Sequence, residues 1–413
     1  PLPYFKYVFS TGDYLDSLKI SGTIKDAYQK APSEFISIFL YEVDSTFSDS
    51  LVYKETPRYI TYTLDSTVNF ELENLKEGTY QILAVEDKND NYNFNPKTEK
   101  IGFIKNYITL PTDSTYNITI FKEQLDFEAE RPKLLKGNQI LFGYEGSKGV
   151  DSVEINLLTP KPEGFQSRIV KDRKTDTLYY WYNIRPENDS LSFEVLSPKR
   201  RDTLFTKIAE AERDSLQITS EPTGSIEFEQ SYRLRANTPI TGFDKDLISI
   251  RDGDSTLVPF NAEMRSLENE IVISFDKEES SKYQVMTLPG AVTDLFGETN
   301  DTIRNTLSTK SYADYGSIIL TLQNVDRFPI VVQLTNEKGE VQKEKYSTGE
   351  SNFHFRFLKP GKHLIRVIFD ENENRKWDTG DYLKRIQPEE IQYYRDTIEV
   401  RSNWDMPETF TLD

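Results

Sequence analysis

Two stretches of this chain set oxygen-bearing side chains at alternate positions. The first reads Asp87-Lys-Asn89-Asp-Asn91-Tyr-Asn93-Phe-Asn95-Pro-Lys-Thr-Glu99, the second Asp370-Glu-Asn372-Glu-Asn374-Arg-Lys-Trp377-Asp378-Thr-Gly-Asp381. Counted from the leading aspartate, both offer side-chain oxygens at positions 0, +2, +4 and +8 and then a carboxylate, Glu99 at +12 or Asp381 at +11. Calcium takes about six to eight hard oxygen ligands, and a tightly turning loop can aim alternate residues at one centre. The spacing therefore predicts two structural calcium sites, one from Asp87, Asn89, Asn91, Asn95 and Glu99, the other from Asp370, Asn372, Asn374, Asp378 and Asp381. With so few carboxylates each, they would bind weakly, in the range of extracellular modules, and would stiffen a module end without catalysing anything. An aromatic at +7, Phe94 or Trp377, would plug each loop onto its domain. Neither loop has the glycine or the flanking helices of an EF-hand. The plainer alternative is that Asp and Asn are turn formers whose side chains cap their own backbone.

Other chemistry is poorly supported. The chain has no cysteine, which removes disulfides, thiolate zinc sites and cysteine nucleophiles. Gly143-Tyr-Glu-Gly146-Ser-Lys148-Gly149 has Ser-Lys where a phosphate loop needs Lys-Ser/Thr, and reads as a turn. The two histidines, His354 and His363, fall in adjoining strands and suit packing or exposure better than catalysis. The run Tyr179-Tyr180-Trp181-Tyr182 alternates two side chains to each face, so one pair belongs to a core and the other could offer a stacking surface. Lys199-Arg200-Arg201 reads as a solvated basic turn.

The elements that must hold these residues are strands. Period-two alternation recurs between turn residues, as in Ile36-Ser-Ile-Phe-Leu-Tyr-Glu-Val43, Asp151-Ser-Val-Glu-Ile-Asn-Leu157 and Glu270-Ile-Val-Ile-Ser-Phe275, and predicts strands with one buried face. A short helix is expected at 206–213 and nothing longer. The 24 Tyr and 25 Phe against 3 Met also favour a pleated surface. At 413 residues the chain is long for one core and suits three or four sandwich modules of roughly 90–110 residues.

Internal repeats fix the order of those modules. Leu75-Lys-Glu-Gly-Thr-Tyr-Gln-Ile-Leu-Ala-Val-Glu-Asp87 aligns without gaps on Leu358-Lys-Pro-Gly-Lys-His-Leu-Ile-Arg-Val-Ile-Phe-Asp370, and each copy runs into one of the Asp/Asn loops. Upstream, Phe9-Ser-Thr-Gly-Asp-Tyr14-Leu-Asp16 matches Leu307-Ser-Thr-Lys-Ser-Tyr312-Ala-Asp314. A whole module precedes the second of these junctions but only eight residues precede the first, so residues 1–14 are expected to end a module whose remainder lies upstream of Pro1. The start, lacking methionine, reads as a processed or trimmed end.

The acidic and basic totals, 68 and 50, give a net charge of −18, which repels phosphate backbones and argues against nucleic acid. No run reaches the roughly 18 apolar residues of a membrane helix. Asp-Ser/Thr-hydrophobic triplets recur and include Ser17, Ser152, Thr177, Ser190, Thr203, Ser215, Thr302 and Thr397. Asp-Ser/Thr is good turn chemistry before a strand. Either as turns or as modified hydroxyls, these residues are expected at the surface.

The modules also resemble known families. Leu234-Arg-Ala-Asn-Thr-Pro239-Ile, Asp252-Gly253 and Leu288-Pro289-Gly-Ala291-Val-Thr-Asp294-Leu-Phe296-Gly297 resemble the bacterial Ig-like fold of surface-layer type. Residues 16–122 and 315–413 resemble the transthyretin-like (prealbumin-like, carboxypeptidase-regulatory-like) modules of secreted Bacteroidota proteins. The series implied is the last strand of an Ig-like domain in 1–14, a transthyretin-like sandwich in 15–122, Ig-like sandwiches in 123–218 and 219–312, and a transthyretin-like sandwich in 313–413. Over nearly the whole chain this order resembles the Ig-like-domain lipoproteins of the Bacteroidota outer membrane, and the triplets resemble the O-glycosylation sequon of exported proteins of that phylum. The resemblance implies an elongated, all-β, non-enzymatic lipoprotein of the outer membrane or cell surface, with its lipid anchor outside this chain. It further implies a scaffold for other outer-membrane or surface proteins, such as an accessory subunit of a β-barrel assembly or secretion machine. The alternative is a carbohydrate-binding adhesin using residues 179–182 as its platform.

Overall fold

Alternating hydrophobicity is realised as strands throughout the computed structural model, which describes residues 16–63, 67–210 and 212–413. Among the described residues the only helical pieces are four 3-10 turns, Asp49–Tyr53, Val150–Ser152, Lys245–Leu247 and Tyr312–Asp314. Among the described residues of 206–213 the expected helix is not formed. Thr206 and Lys207 instead complete the strand Arg201–Lys207, which pairs along its whole length with Ser190–Leu196. A short isolated helix has few bonds to set against its nucleation cost, and the ladder wins. The strand expected within 1–14, and the first junction with it, lie outside the described residues.

The sheets form successive β-sandwich modules. In the first, strands β1 (Leu18–Asp26), β2 (Ser37–Glu42), β3 (Tyr59–Tyr62), β4 (Asn69–Leu75), β5 (Gly78–Val85), β6 (Ile101–Phe103), β7 (Ile108–Leu110) and β8 (Thr115–Ile120) make sheets of order β4-β1-β8 and β3-β2-β5-β6, with β7 also on β5. β1 runs antiparallel to β4 and parallel to β8. The last module repeats this plan. Gly316–Gln323 lies between Asn352–Leu358 and Asp405–Thr411, parallel only to the latter, and Gly361–Phe369 takes the place of β5. The aligned peptides thus occupy one structural position, each leucine closing a strand and each glycine opening the next. The second module faces the sheet Lys133–Lys136, Gln139–Glu145, Thr177–Tyr182 and Ser167–Lys171 against Glu154–Leu157, Ser190–Leu196 and Arg201–Lys207. The third is built on Tyr232–Ala236 and Glu270–Phe275 in one sheet and Lys282–Thr287 and Ile303–Ser308 in the other.

Each sandwich has its own buried cluster, exemplified by Ile38 and Ile82, Phe142 and Phe193, Leu234 and Ile273, and Val332 and Val367. A fifth cluster joins two modules. Phe39, Leu83, Phe103 and Phe121 of the first module, on the face opposite its core, enclose Tyr382 of the last. β2 is accordingly buried on both faces, not on one as alternation predicted. The continuous apolar run Ile38-Phe-Leu-Tyr41 within it is the signature of a doubly covered strand.

Contacts run round all four modules. The second and third meet through Lys171 N–H to Leu267 O (2.7 Å) and the ion pair Arg213–Glu298 (2.6 Å). Third and fourth meet through Phe228 on Phe357, centroids 4.6 Å apart, and Lys359–Glu227 (2.9 Å). First and second share the ion pair Lys97–Glu145. The fourth then returns to the first. The expected elongated arrangement is therefore corrected: the chain closes on itself, because the apolar outer face of the first module leaves water beneath Tyr382 and Trp377 of the last.

Candidate functional site

Both Asp/Asn loops leave equivalent strands, β5 and Gly361–Phe369, and fold alike. Asp87 accepts from the N–H groups of Asn91 (3.3 Å) and Tyr92 (2.8 Å), and Asp370 from those of Asn374 (3.1 Å) and Arg375 (2.7 Å). Positive φ falls at matching places, Asp90 and Tyr92 in one loop and Glu373 and Arg375 in the other. Asn91 and Asn374 each cap the N–H two residues on, at 2.9 and 2.8 Å, and Asn95 does the same for Lys97 at 3.0 Å. These are self-capping Asx turns.

A buried glutamate ties each loop shut. Glu99 takes the N–H of Lys88 (3.2 Å) and of Asn95 (2.8 Å), with the Asn89 amide at 3.5 Å. In the second loop the same two bonds, from Glu371 and Asp378 N–H at 2.8 and 2.9 Å, go to Glu389. The sequence reading paired Glu99 with Asp381, and that correspondence is corrected. Asp381 accepts from Lys384 N–H at 3.1 Å and pairs with the Lys384 ammonium, outside the knot. Glu389 was missed because an insertion separates it from Asp370 by nineteen residues, against twelve from Asp87 to Glu99. Burial above all, and then repulsion from Asp378 and Asp370, holds the Glu389 carboxyl above the ordinary carboxylate range against its two backbone bonds. Burial likewise raises Glu99, with Asp87 adding to it.

Donors to the second knot are neutral: backbone N–H groups to Asp370 and Glu389, and the Asn372 (2.7 Å) and Asn374 (2.5 Å) amides to Asp378. In charge the set suits a cation. In arrangement it is less complete, since among the described residues no three carboxylate or imidazole groups converge closely enough to hold a metal ion.

The insertion between Asp378 and Glu389 is the clasp that closes the chain. Thr379 Oγ1 donates to Lys122 O (2.6 Å), Tyr382 N–H to Glu123 Oε1 (2.7 Å) and Gln387 to Phe103 O (2.9 Å). Arg385 donates to Gln81 Oε1 (2.7 Å) and Lys105 O (2.9 Å) and pairs with Asp49. At Gly380 an added Cβ would stand 2.6 Å from the Phe121 ring, so only glycine permits this approach. Beside the clasp, the plug residue Trp377 packs on Tyr28 at 4.8 Å, and Arg366 sits over the same Tyr28 ring at 4.1 Å. Arg366 is 1% exposed and bonds Tyr28 O, Tyr28 OH, Tyr393 OH and Gln333.

Remaining candidates fall into place. Tyr180 and Tyr182 lie in the second module's core, whereas Tyr179 and Trp181 face outward, with Trp181 drawn against Phe296 of the third module. Residues 179–182 are thus not an open platform. Lys199, Arg200 and Arg201 pair with Asp126, Glu128 and Glu194 on a solvated turn. His363 is buried and bonds Lys359 O (3.1 Å). His354 joins a Ser–His–Asp group of the wrong polarity for catalysis. Arg356 Nε, which can only donate, reaches His354 Nδ1 at 3.1 Å, so the imidazole proton sits on Nε2 and points at Ser317 Oγ (3.2 Å). The serine in turn donates to Asp405, and no base is left to activate it. Of the triplet hydroxyls, Ser17, Ser152, Ser190, Thr203, Ser215, Thr302 and Thr397 are exposed. Thr177 is corrected: it is buried at 8% exposure, where it begins a strand and accepts from Thr175.

No family model and no curated protein matches the chain. Similar solved structures include the titin I-band fragment I67–I69, at 10% identity over 70% of this chain and all of that one, with TM-score 0.15. The SGBP-B protein of a Bacteroides ovatus mixed-linkage glucan utilization locus, solved with a mixed-linkage heptasaccharide, aligns over 97% of both chains at 10% identity and TM-score 0.20. The Bacillus cereus major pilin BcpA covers 96% of this chain and 99% of its own at 10% identity and TM-score 0.17.

Proposed function

We propose that this chain is an exported, non-catalytic protein of the outer membrane or cell surface that serves as a scaffold for other proteins there, as an accessory subunit of a larger assembly. The observation that carries this reading is the closed circuit of four sandwiches. A chain that commits an insertion, a buried arginine and a doubly covered sheet to fixing the relative position of its ends is built to present surfaces in a set geometry. The inactive polarity of the Ser317 group is in keeping with a non-catalytic role, and the lipid anchor implied by sequence resemblance would supply the membrane attachment. Purification of the native protein from its source membrane under mild detergent tests the proposal. Co-isolation with stoichiometric membrane proteins is expected, and emergence as a lone species would sink it.

Calcium at the two loops is a second reading, favoured by one observation: Asp378 and Asp370 repel the buried Glu389 carboxyl while only neutral groups donate to it, and a divalent cation would offset that repulsion. Calcium at ten to a hundred times its dissociation constant would add about 1.4–2.7 kcal/mol of stability. Calorimetric melting with millimolar calcium and with chelator, on the intact chain and on Asp87→Ala/Asp370→Ala, decides it. Identical melting in all conditions would leave the loops as plain Asx turns.

A further inference from the structure

Where the first and last modules close on each other they leave a cleft of about 840 Å³ between them. Each of its walls carries the last strand of a sheet. On the last module the strand Ile391–Tyr393 is paired only with Gly361–Phe369. In an antiparallel pair every second residue spends its N–H and C=O on the neighbour, and the residues between aim theirs outward. Phe369 N–H to Glu390 O and Tyr394 N–H to Ile365 O fix that phase. Gln392 therefore bonds the neighbouring strand, and Ile391 and Tyr393 turn their N–H and C=O groups away from it, to an edge that no strand among the described residues pairs with. On the first module β8 likewise ends its sheet. Ala27 N–H to Ile120 O gives Ile118 and Ile120 to β1 and leaves the Asn117 backbone turned away from it. Ile391, Tyr393 and Asn117 all line the cleft.

The lining suits an extended backbone better than an ion. Three lysines stand in it against four acidic residues, so neither sign of charge prevails. Two of the acids are already engaged, Asp26 with Lys100 at 2.6 Å and Glu390 with Arg327. Between the two strand edges lies apolar surface: Val68 is 41% exposed, and Ile104, Pro388 and Ile391 are half-buried. The cleft is also continuous with the closing interface, since Phe103 and Gln387, bonded to each other at 2.9 Å, belong to both.

We propose that this cleft holds an extended, uncharged and apolar segment of a partner protein, added as a strand to the edge Ile391–Tyr393. An unpaired edge offers donors and acceptors at every second residue, a spacing that another extended backbone matches, and alternate side chains of such a segment would cover Val68 and Ile104. The segment touches both ends of the chain, because the walls belong to both end modules. An apolar small molecule could use the floor but would leave the strand edge unbonded. The proposal rests on the scaffold reading and names where the partner is held.

The test pans a random peptide library displayed on phage against the intact chain and measures the recovered peptides, made synthetically, by isothermal titration and amide hydrogen exchange. Saturable binding is expected, with the N–H groups of Ile391 and Tyr393 gaining protection while that of Gln392, already bonded to its neighbour, changes little. Methylating alternate backbone nitrogens of the peptide should weaken binding about tenfold or more, and methylating those between should not. Ile391→Pro removes one outward N–H without cutting the ladder and should weaken binding to the same degree. Val68→Glu, at an exposed position, should weaken it without moving the melting temperature. Recovery of no binding peptide, binding undiminished in both variants, or binding that leaves the Ile391 and Tyr393 amides unprotected would each overturn the assignment. Native co-isolation of a partner that persists in the Val68→Glu chain would keep the scaffold and discard this cleft.

Discussion

Replacing Tyr382 by alanine should loosen the closed chain without unfolding any module. The tyrosine is 1% exposed, and its ring lies edge-on to Phe103 at 5.4 Å within a cluster whose other buried members all come from the first module. Its backbone belongs to the last module, whose own core does not include it. Truncating a buried aromatic costs about 3–5 kcal/mol, and here that cost falls only on the state in which the end modules touch. At about 1.4 kcal/mol per factor of ten, the opening equilibrium of the clasp shifts by about a hundred- to several-thousandfold. Amide hydrogen exchange reads this directly, because the N–H groups of Asp381, Tyr382 and Ile386 are bonded only within or beneath the clasp. Their protection should fall by that factor, while amides of Gly361–Phe369 keep theirs. Small-angle scattering should show the same variant expanding in mild denaturant before any module melts. A loss of protection below about tenfold, or an equal loss throughout the last module, would refute the claim that Tyr382 stabilises closure and not the module itself.

Three further outcomes are expected. The raised Glu389 carboxyl favours its proton in the folded state, so its contribution to stability is fully present below the ordinary value of about 4.3 and is lost as pH rises through the higher folded value. Glu389→Gln should flatten that decline in melts taken across the window in chelator, and an unchanged pH slope would contradict the assignment. A double-mutant cycle of Arg366→Met with Tyr28→Phe should give a coupling of about 1–3 kcal/mol in chemical denaturation, since the two groups bond at 2.7 Å across the closing interface; additivity would mean the contact contributes nothing. Peptide mass spectrometry of the native protein should find hexose-type mass additions on exposed triplets such as Ser17, Ser190 and Thr397 and none on the buried Thr177. A wholly unmodified set would reduce the triplets to turn chemistry.

Much of the local structure was open to reading from the chain. Alternation at Glu154–Leu157 and the paired peptides beginning at Leu75 and Leu358 follow from a period of two and from turn glycines, which act within a few residues, whereas Glu270–Phe275, read the same way, is buried on both faces. Likewise the Asp87 and Asp370 loops declared their equivalence, because Asx turns are made by neighbours in sequence. The partner of each loop was less accessible. Glu99 was found because it lies close by, but Glu389 was displaced by the inserted clasp, and Asp381 stood nearer to hand. Alternation at 179–182 showed that two of the four aromatics would be buried, though not that Trp181 would be drawn under a neighbouring module.

What the sequence determined alone was therefore the class of element, the repeat and the loop chemistry, all set by short-range periodicity and backbone capping. Closure of the chain, the burial of Arg366 and Tyr382 and the place of Glu389 in the second knot were decided only in three dimensions. They depend on which outer faces meet, and contacts between residues some 250 to 340 positions apart, such as Thr379 with Lys122 and Arg366 with Tyr28, leave no local pattern to read.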